Sequence, residues 1–259
     1  MNISLNPQRL RKYFSDINSN LNHMDEVLTS PEYGSRDSVP GRFQSGDFKN
    51  AARNIDQATL HLRDLHPGEK YLLEDLKKDT LDLGFYSGMT DSMHRGGIAF
   101  GPGWTRAVDP SISDTNEALD LLGKVSSSKD EKSPPSPAKV MKQLSDVQAH
   151  LTRLDSYFTH WDNRGVSPGA DISEELREAA SALYDVRNSV WSLHPSEVPI
   201  LENLQKGVLE IAMKSGSTYN MNNHRISFGG GWNKAMDQPL QSVDKAMNLL
   251  AGETLPEEQ

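Results

Sequence analysis

Apolar side chains recur along this chain at steps of three and four positions, the spacing that places them on one face of an α-helix. The first stripe consists of Leu10, Phe14, Ile17, Leu21, Met24 and Leu28. A second stripe begins beyond the middle of the chain and consists of Val140, Leu144, Val147, Leu151, Leu154 and Phe158. Each stripe predicts one long amphipathic helix with a buried face.

Further helices follow each stripe. The second helix of the first half is predicted from about residue 47 to residue 65, and its equivalent begins at Asp171. Pro67 and Pro195 end these helices, because the residue before a proline disfavours the α conformation. Leucine-rich stripes then predict a third helix in each half, with Leu72, Leu73, Leu76, Leu81 and Leu83 in the first and Ile200, Leu201, Leu204, Leu209 and Ile211 in the second.

A short fourth helix is predicted in each half, near residues 113–122 and 241–250. Strand patterns are nearly absent. Only GIAFG (97–101) and RISFG (225–229) resemble short extended segments, which would pair with each other or form a small hairpin-like arm. The pattern therefore predicts an all-α protein with four helices in each half.

The two halves are copies of one another. LHPGEKYLLEDLKKDTLDL, which starts at Leu65, returns as LHPSEVPILENLQKGVLEI from Leu193, a shift of 128 residues. At this shift residues 65–123 and 193–251 share 23 identities in 59 positions without a gap. A repeat of this length predicts two homologous four-helix units related by an internal pseudo-two-fold repeat.

The predicted domain boundaries follow from the repeat. The first helical unit covers residues 1–123 and the second covers residues 137–259. Residues 124–136 between them are rich in serine, proline and charge and have no apolar periodicity, which predicts a linker.

The motif FGxGW precedes the last helix of each copy, as FGPGW in the first and FGGGW in the second. Backbone N–H groups in a Gly-rich turn can hold a phosphate at a helix start. In the first copy, however, Pro102 stands where the second has Gly230, and proline has no N–H to donate. We therefore favour an extended turn with positive φ that packs Trp104 and Trp232 on the helices.

A histidine–arginine pair lies beside each of these turns and makes it a candidate anion site. In the register of the repeat the two pairs are displaced by two positions, so that His94 aligns with Asn222. This displacement disfavours a shared catalytic role, because a catalytic base must keep its position closely. The candidate anion-binding residues are His94, Arg95, His224, Arg225, Gly229, Gly230 and Gly231.

The loops that follow the first helix of each copy differ in length and composition, at residues 30–46 and 158–171. Both carry aromatic and arginine side chains, the residue types enriched in binding hot spots. An ordinary long connection is the competing interpretation. The candidate partner-binding residues are Tyr33, Arg36, Arg42 and Phe43 in the first loop and Trp161, Asp162 and Arg164 in the second.

The formal net charge of −9 disfavours nucleic acid and anionic lipid as partners and favours a basic protein. Cysteine is absent, which excludes disulfides and thiolate chemistry. No apolar stretch is long enough for a membrane span or a secretory signal, so we expect a cytoplasmic protein or one exported without a cleaved signal peptide.

No catalytic or metal-binding constellation is recognisable in the sequence. The catalytic and zinc motifs are missing, His160 and Asp162 have no third ligand at helical spacing, and no carboxylate pair is distinguished by its spacing. We therefore predict no catalytic residue, no metal site and no cofactor.

The sequence favours a non-enzymatic helical protein that binds another protein. An inhibitor or immunity protein for a basic toxin is one concrete form, and a secreted bacterial effector is another. The alternative is an enzyme or a small-anion-binding protein that uses the Gly-Trp turn with the adjacent histidine and arginine.

Overall fold

The computed structural model of the chain describes residues 7–31, 38–65, 70–101, 103–123, 135–194 and 198–251. These ranges form eight α-helices and three short 3-10 turns, and they contain no β-strand. The all-α prediction is confirmed. Within the same ranges, no helix combines the length and the hydropathy that a membrane crossing requires.

Contacts between residues divide the chain into two units, Met1–Lys132 and Ser133–Gln259. The helices of the first unit are α1 (Pro7–Thr29), α2 (Arg42–Leu65), α3 (Lys70–Gly96) and α4 (Asp109–Gly123). The helices of the second unit are α5 (Pro137–Thr159), α6 (Ala170–Leu193), α7 (Val198–Asn223) and α8 (Asp237–Leu250). The 3-10 turns are Trp104–Arg106, Trp161–Asn163 and Trp232–Lys234.

Each unit is a four-helix bundle in which every helix packs on two others. In the first unit α2 packs most extensively on α3, while α1 contacts both α2 and α4, and α4 returns to α3. In the second unit α6 packs most extensively on α7, and α5 and α8 complete the bundle. All twelve residues of the two predicted stripes on α1 and α5 are buried, so these stripes form part of the two cores.

Paired serines hold the longest helices of each unit together. Ser45 on α2 and Ser87 on α3 each donate a hydroxyl hydrogen bond to the other's backbone carbonyl, at 2.8 and 2.9 Å. Ser173 on α6 and Ser215 on α7 do the same, both at 2.7 Å. These bonds join the first turn of one helix to the second half of the next, so the two helices are antiparallel. The hydroxyls of all four serines donate to a backbone carbonyl.

Several helices begin earlier than the sequence predicts. Helix α2 begins at Arg42 instead of residue 47, which places Arg42 and Phe43 in its first turn and not in a loop. The fourth helices begin at Asp109 and Asp237, four residues before the predicted starts. The polar first turns of these helices carry no apolar stripe, and periodicity therefore does not detect them.

The predicted extended segments bond to a loop of their own unit. The Phe100 N–H donates to the carbonyl of Ser38 at 2.8 Å, and the Phe228 N–H donates to the carbonyl of Val166 at 3.0 Å. Each bond ties the segment before the last helix to the loop that precedes the second helix. Those candidate loop residues that the structure describes and the Gly-Trp turns are thereby brought to one end of their bundle.

Candidate binding surfaces and the Gly-Trp turns

A glycine with positive φ precedes each tryptophan of the FGxGW motif. Gly103 has a φ of 108° and Gly231 a φ of 110°, a region that side chains with a Cβ rarely adopt. Each glycine is followed by a single 3-10 turn that begins with the tryptophan. The backbone reversal directs the indole ring back onto the bundle.

Each tryptophan packs edge-on against the phenylalanine of its motif. The ring centroids of Phe100 and Trp104 are 5.2 Å apart, and those of Phe228 and Trp232 are 5.1 Å apart, both at an interplanar angle of 66°. The phenylalanines are buried, whereas the tryptophans are half-buried. The motif thus anchors an aromatic cluster at the surface of the core.

The surroundings of the two tryptophans differ. Trp104 also contacts the rings of Phe48 and Tyr86, with centroids 6.3 and 5.5 Å away. Trp232 contacts the ring of Phe158 at 5.5 Å, and the Lys214 Nζ lies 5.0 Å from the centroid of its ring. An aromatic neighbour in one unit is thus replaced in the other by a cation over the indole face.

The histidine–arginine pairs occupy different positions on their helices. Both α3 and α7 end in a Schellman turn, in which Ile98 bonds back to Met93 and Ile226 bonds back to Met221. The left-handed residue of this turn is Gly97, with φ 64°, in the first unit and Arg225, with φ 54°, in the second. His94 therefore lies in the last helical turn, whereas His224 and Arg225 lie at and beyond the helix end.

The pair in the first unit is engaged in local contacts. His94 Nδ1 is 2.8 Å from the carbonyl oxygen of Pro40, and Arg95 forms an ion pair of 3.0 Å with Asp91 one turn earlier. His224 and Arg225 are exposed, as are Gly229, Gly230 and Gly231. The two pairs do not share one geometry, and this difference weakens the anion-binding alternative.

Phe43 is the most exposed large apolar side chain in the described part of the chain, at 85%. It lies in the first turn of α2 next to the exposed Arg42. Beside it, a groove of about 190 Å³ runs between α1 and α2 and is lined by His23, Met24, Val27, Leu28, Gln44, Asp47 and Phe48. Tyr33 and Arg36 lie outside the described residues.

Trp161 is exposed at 73% and lies in the 3-10 turn between α5 and α6. The Asn163 side chain anchors this turn by donating to the carbonyl of Tyr157 at 2.6 Å. Asp162 lies 3.6 Å from His160 Nδ1, and the His160 ring stacks on Trp161. Arg164 follows as an exposed side chain. A short, braced turn therefore presents an indole ring to solvent.

The structure also assembles a group of acidic residues that the sequence does not single out. Asp75 on α3 and Asp114 and Glu117 on α4 each have one carboxylate oxygen within 4.8 Å of the others. Asp79, one turn after Asp75, is 1% exposed, and its carboxylate has no hydrogen-bond partner among the described residues. We call these four residues the carboxylate cluster.

The cluster perturbs the acidity of its members. Burial raises the pKa of Asp79 to about 8, and the neighbouring charges of Asp114 and Asp82 add to this effect. Burial also raises the pKa of Asp114, with a contribution from Asp75, while the charge of Lys78 acts in the opposite direction. Two carboxylates close together in a dry site cannot both ionise easily.

The register of the repeat places no carboxylate at the corresponding positions of the second unit. Asn203, Gly207, Ser242 and Lys245 stand there instead. Three of these residues, Asn203, Ser242 and Lys245, line a shallow cavity of about 210 Å³ between α7 and α8. Comparing the two copies position by position is the sequence signal that identifies the cluster, since acidic spacing alone does not.

Comparison with protein-family models, with curated proteins and with solved structures finds no match for the chain.

Proposed function

We propose that the protein is a non-enzymatic binding protein that contacts a protein partner through Phe43 and Trp161. The observation that carries the proposal is the exposure of these two rings at the loop ends of their bundles. Large aromatic rings are hydrophobic, and their burial against a partner supplies much of the binding energy at hot spots.

Both rings are held on ordered backbone, which favours binding. Phe43 belongs to a helical turn, and Trp161 belongs to a 3-10 turn braced by Asn163. Binding through such residues loses little conformational entropy compared with binding through a mobile loop. The exposed Arg42 and Arg164 add hydrogen-bond donors beside each ring.

The net charge of −9 favours a basic protein as the partner, since opposite net charges accelerate association. An inhibitor or immunity protein for a basic toxin and a secreted bacterial effector remain concrete forms of this proposal. The 23 identities between the halves support an origin by duplication, with two homologous units that present different surfaces.

The proposal is tested by comparing what wild-type and variant proteins capture from the native host. Phe43→Ala and Trp161→Ala should each weaken capture of the same stoichiometric partner by about tenfold or more, since hot-spot residues contribute roughly 2 kcal/mol. The matched controls are Tyr71→Ala and Val198→Ala, which remove apolar side chains of 52% and 53% exposure.

The two controls lie in the first turns of α3 and α7, at the opposite ends of the antiparallel helix pairs. A helix of 24 residues such as α2 spans about 36 Å, so the controls are remote from the proposed surface. Equal capture by all four variants and the wild type would refute the proposal. If only the two control variants lost the partner, the binding surface would lie at the other end of the bundles.

A further inference from the structure

We propose that the carboxylate cluster of Asp75, Asp79, Asp114 and Glu117 binds one hard divalent cation of the Ca²⁺ or Mg²⁺ class between α3 and α4. The site is independent of the proposed protein-binding surface. The first observation is distance: ligand oxygens of Asp75, Asp114 and Glu117 all lie within 4.8 Å of one another. Since Ca²⁺–oxygen distances are about 2.3–2.6 Å, one ion can contact all three.

The second observation is the burial of Asp79. Its side chain is 1% exposed. No described residue bonds to its carboxylate oxygens in good hydrogen-bond geometry, and the polar groups that act on it are the Asp114 carboxyl and the Ser111 hydroxyl. The carboxyl interacts with the side chains of Asp114 and Ser111 on α4, so it faces the gap between α3 and α4. A buried carboxyl group without a counter-charge is costly to ionise, and a cation in this gap would supply that counter-charge.

Helical geometry directs the four side chains to one place. Asp75 and Asp79 are four residues apart on α3, and Asp114 and Glu117 are three residues apart on α4. Residues at these spacings lie on the same face of a helix. Two facing helices therefore contribute two acidic groups each, and these four outnumber the single positive charge of Lys78, which acts on Asp114.

The donor set determines the class of ion. The three residues whose ligand atoms lie close together, Asp75, Asp114 and Glu117, are all carboxylates, and Asp79 adds a fourth. The cluster contains neither imidazole nor thiolate. Oxygen donors of this kind favour Ca²⁺ and Mg²⁺ over zinc or copper. Waters would complete the coordination, because Glu117 and Asp114 lie toward the edge of the bundle, where they are not fully buried.

The second unit provides an internal contrast. At the position of Glu117 it carries Lys245, whose ammonium group repels a cation, and at the positions of Asp79 and Asp114 it carries Gly207 and Ser242. The proposal therefore requires one cation for each chain and assigns it to the first unit.

Calorimetric titration of the chelator-treated full chain with CaCl₂ and with MgCl₂ tests the proposal. We expect saturable binding of one equivalent of at least one ion, with a Kd in the range of about 10⁻⁵ to 10⁻³ M. The double variant Asp75→Asn/Glu117→Gln should weaken binding at least tenfold. The control Glu202→Gln/Asp244→Asn removes the same charge from α7 and α8 and should bind as the wild type does.

A second measurement locates the ion. Mn²⁺ should broaden amide signals of α3 and α4 around the cluster, and the double variant should lose this broadening while its circular dichroism is unchanged. The proposal is overturned if neither Ca²⁺ nor Mg²⁺ saturates a site by about 10 mM, beyond the weakest protein calcium sites. It is equally overturned if both double variants bind with the same affinity.

Discussion

The contact of α3 with α4 and the contact of α7 with α8 are built on the same register of the repeat, yet their centres differ. In the second unit the central residue is Gly207, where an added Cβ would lie 3.0 Å from Leu183 Cδ2 and 3.7 Å from Ser242 Cβ. In the first unit the central residue is Asp79, a buried carboxylate beside Asp114. Helix α8 packs more extensively on α7 than α4 does on α3.

This difference between the two helix contacts shows that stability alone does not explain why Asp79 and Asp114 are acidic. A small residue at this contact allows close helix packing, whereas a buried pair of carboxylates loses hydration and adds repulsion. The second unit demonstrates that the bundle forms without these charges. Residues that lower stability, at positions where the fold accepts a more stabilising residue type, are typical of functional sites. The carboxylate cluster fits this description.

The largest effect is expected from moving the charge into the second unit. Gly207→Asp should destabilise the protein by about 4 kcal/mol, because it adds both volume and an unpaired buried charge at a tight contact. Gly207→Asn adds nearly the same volume without the charge and should cost about half as much. Urea unfolding measures both values. Equal costs for the two variants would show that only volume matters at this contact.

The Gly-Trp turns share their backbone conformation and the packing of tryptophan on phenylalanine, so substitutions of the two tryptophans should have similar effects. Trp104→Ala and Trp232→Ala should each destabilise the protein by about 3 kcal/mol, the lower end of the range for tryptophan, because both rings are half-buried against phenylalanine. Thermal and urea unfolding give the values. Wild-type stability in either variant would contradict a packing role for that turn.

The pH dependence of stability should depend on Asp79. Its pKa rises from 3.8 in the unfolded chain to about 8 in the folded one, so the folded state holds the proton more tightly. Raising the pH from about 4 to about 8 therefore lowers the free energy of unfolding, by at most about 1.4 kcal/mol per pH unit. Asp79→Asn should remove this slope and gain about 2 kcal/mol at pH 8 in the presence of a chelator.

Urea unfolding of the wild type and of Asp79→Asn between pH 4 and pH 8 checks this expectation. Asp25 and Asp155, whose pKa values burial also raises, are common to both proteins and serve as the internal reference. Parallel stability profiles for the two proteins would contradict the assignment to Asp79.

The smallest change in stability is expected at the C-terminal ends of α3 and α7, where the two units also differ. Arg225 has a φ of 54°, where the first unit has Gly97. Arg225→Gly should therefore stabilise the protein by about 1 kcal/mol, and Gly97→Ala should destabilise it by a similar amount. Unfolding midpoints measure both. A loss of stability in Arg225→Gly would mean that the arginine side chain makes a contact stronger than its backbone strain.

The helices were the part of the structure most accessible from sequence, because stripes such as Leu10 to Leu28 extend over several turns. The start of α2 could not be predicted from the sequence, because Phe43 points to solvent and breaks the apolar period that marks the rest of the helix. Phe43 and Trp161 could be selected from the sequence because large aromatic side chains are common in binding hot spots. That both side chains are exposed to solvent could be determined only from the structure. Tyr33 and Arg36 stay predictions.

The carboxylate cluster could not be found from spacing, since acidic residues three or four positions apart are frequent in a chain with 36 of them. It depends on the register in which α4 meets α3, a tertiary property. The displaced histidine–arginine pairs illustrate the converse. A histidine–arginine pair occurs beside both turns, but helix α3 includes its pair, whereas helix α7 ends at Asn223, before His224 and Arg225.

The most direct test compares the unfolding free energy of the wild type with that of the variant Asp75→Asn/Asp79→Asn/Asp114→Ser/Glu117→Gln, in chelator and in excess Ca²⁺ or Mg²⁺ at pH 8. We predict that the variant is the more stable protein in chelator, and that only the wild type gains stability when the cation is added. A wild type that is the more stable protein in chelator, and that neither ion stabilises, would contradict the account.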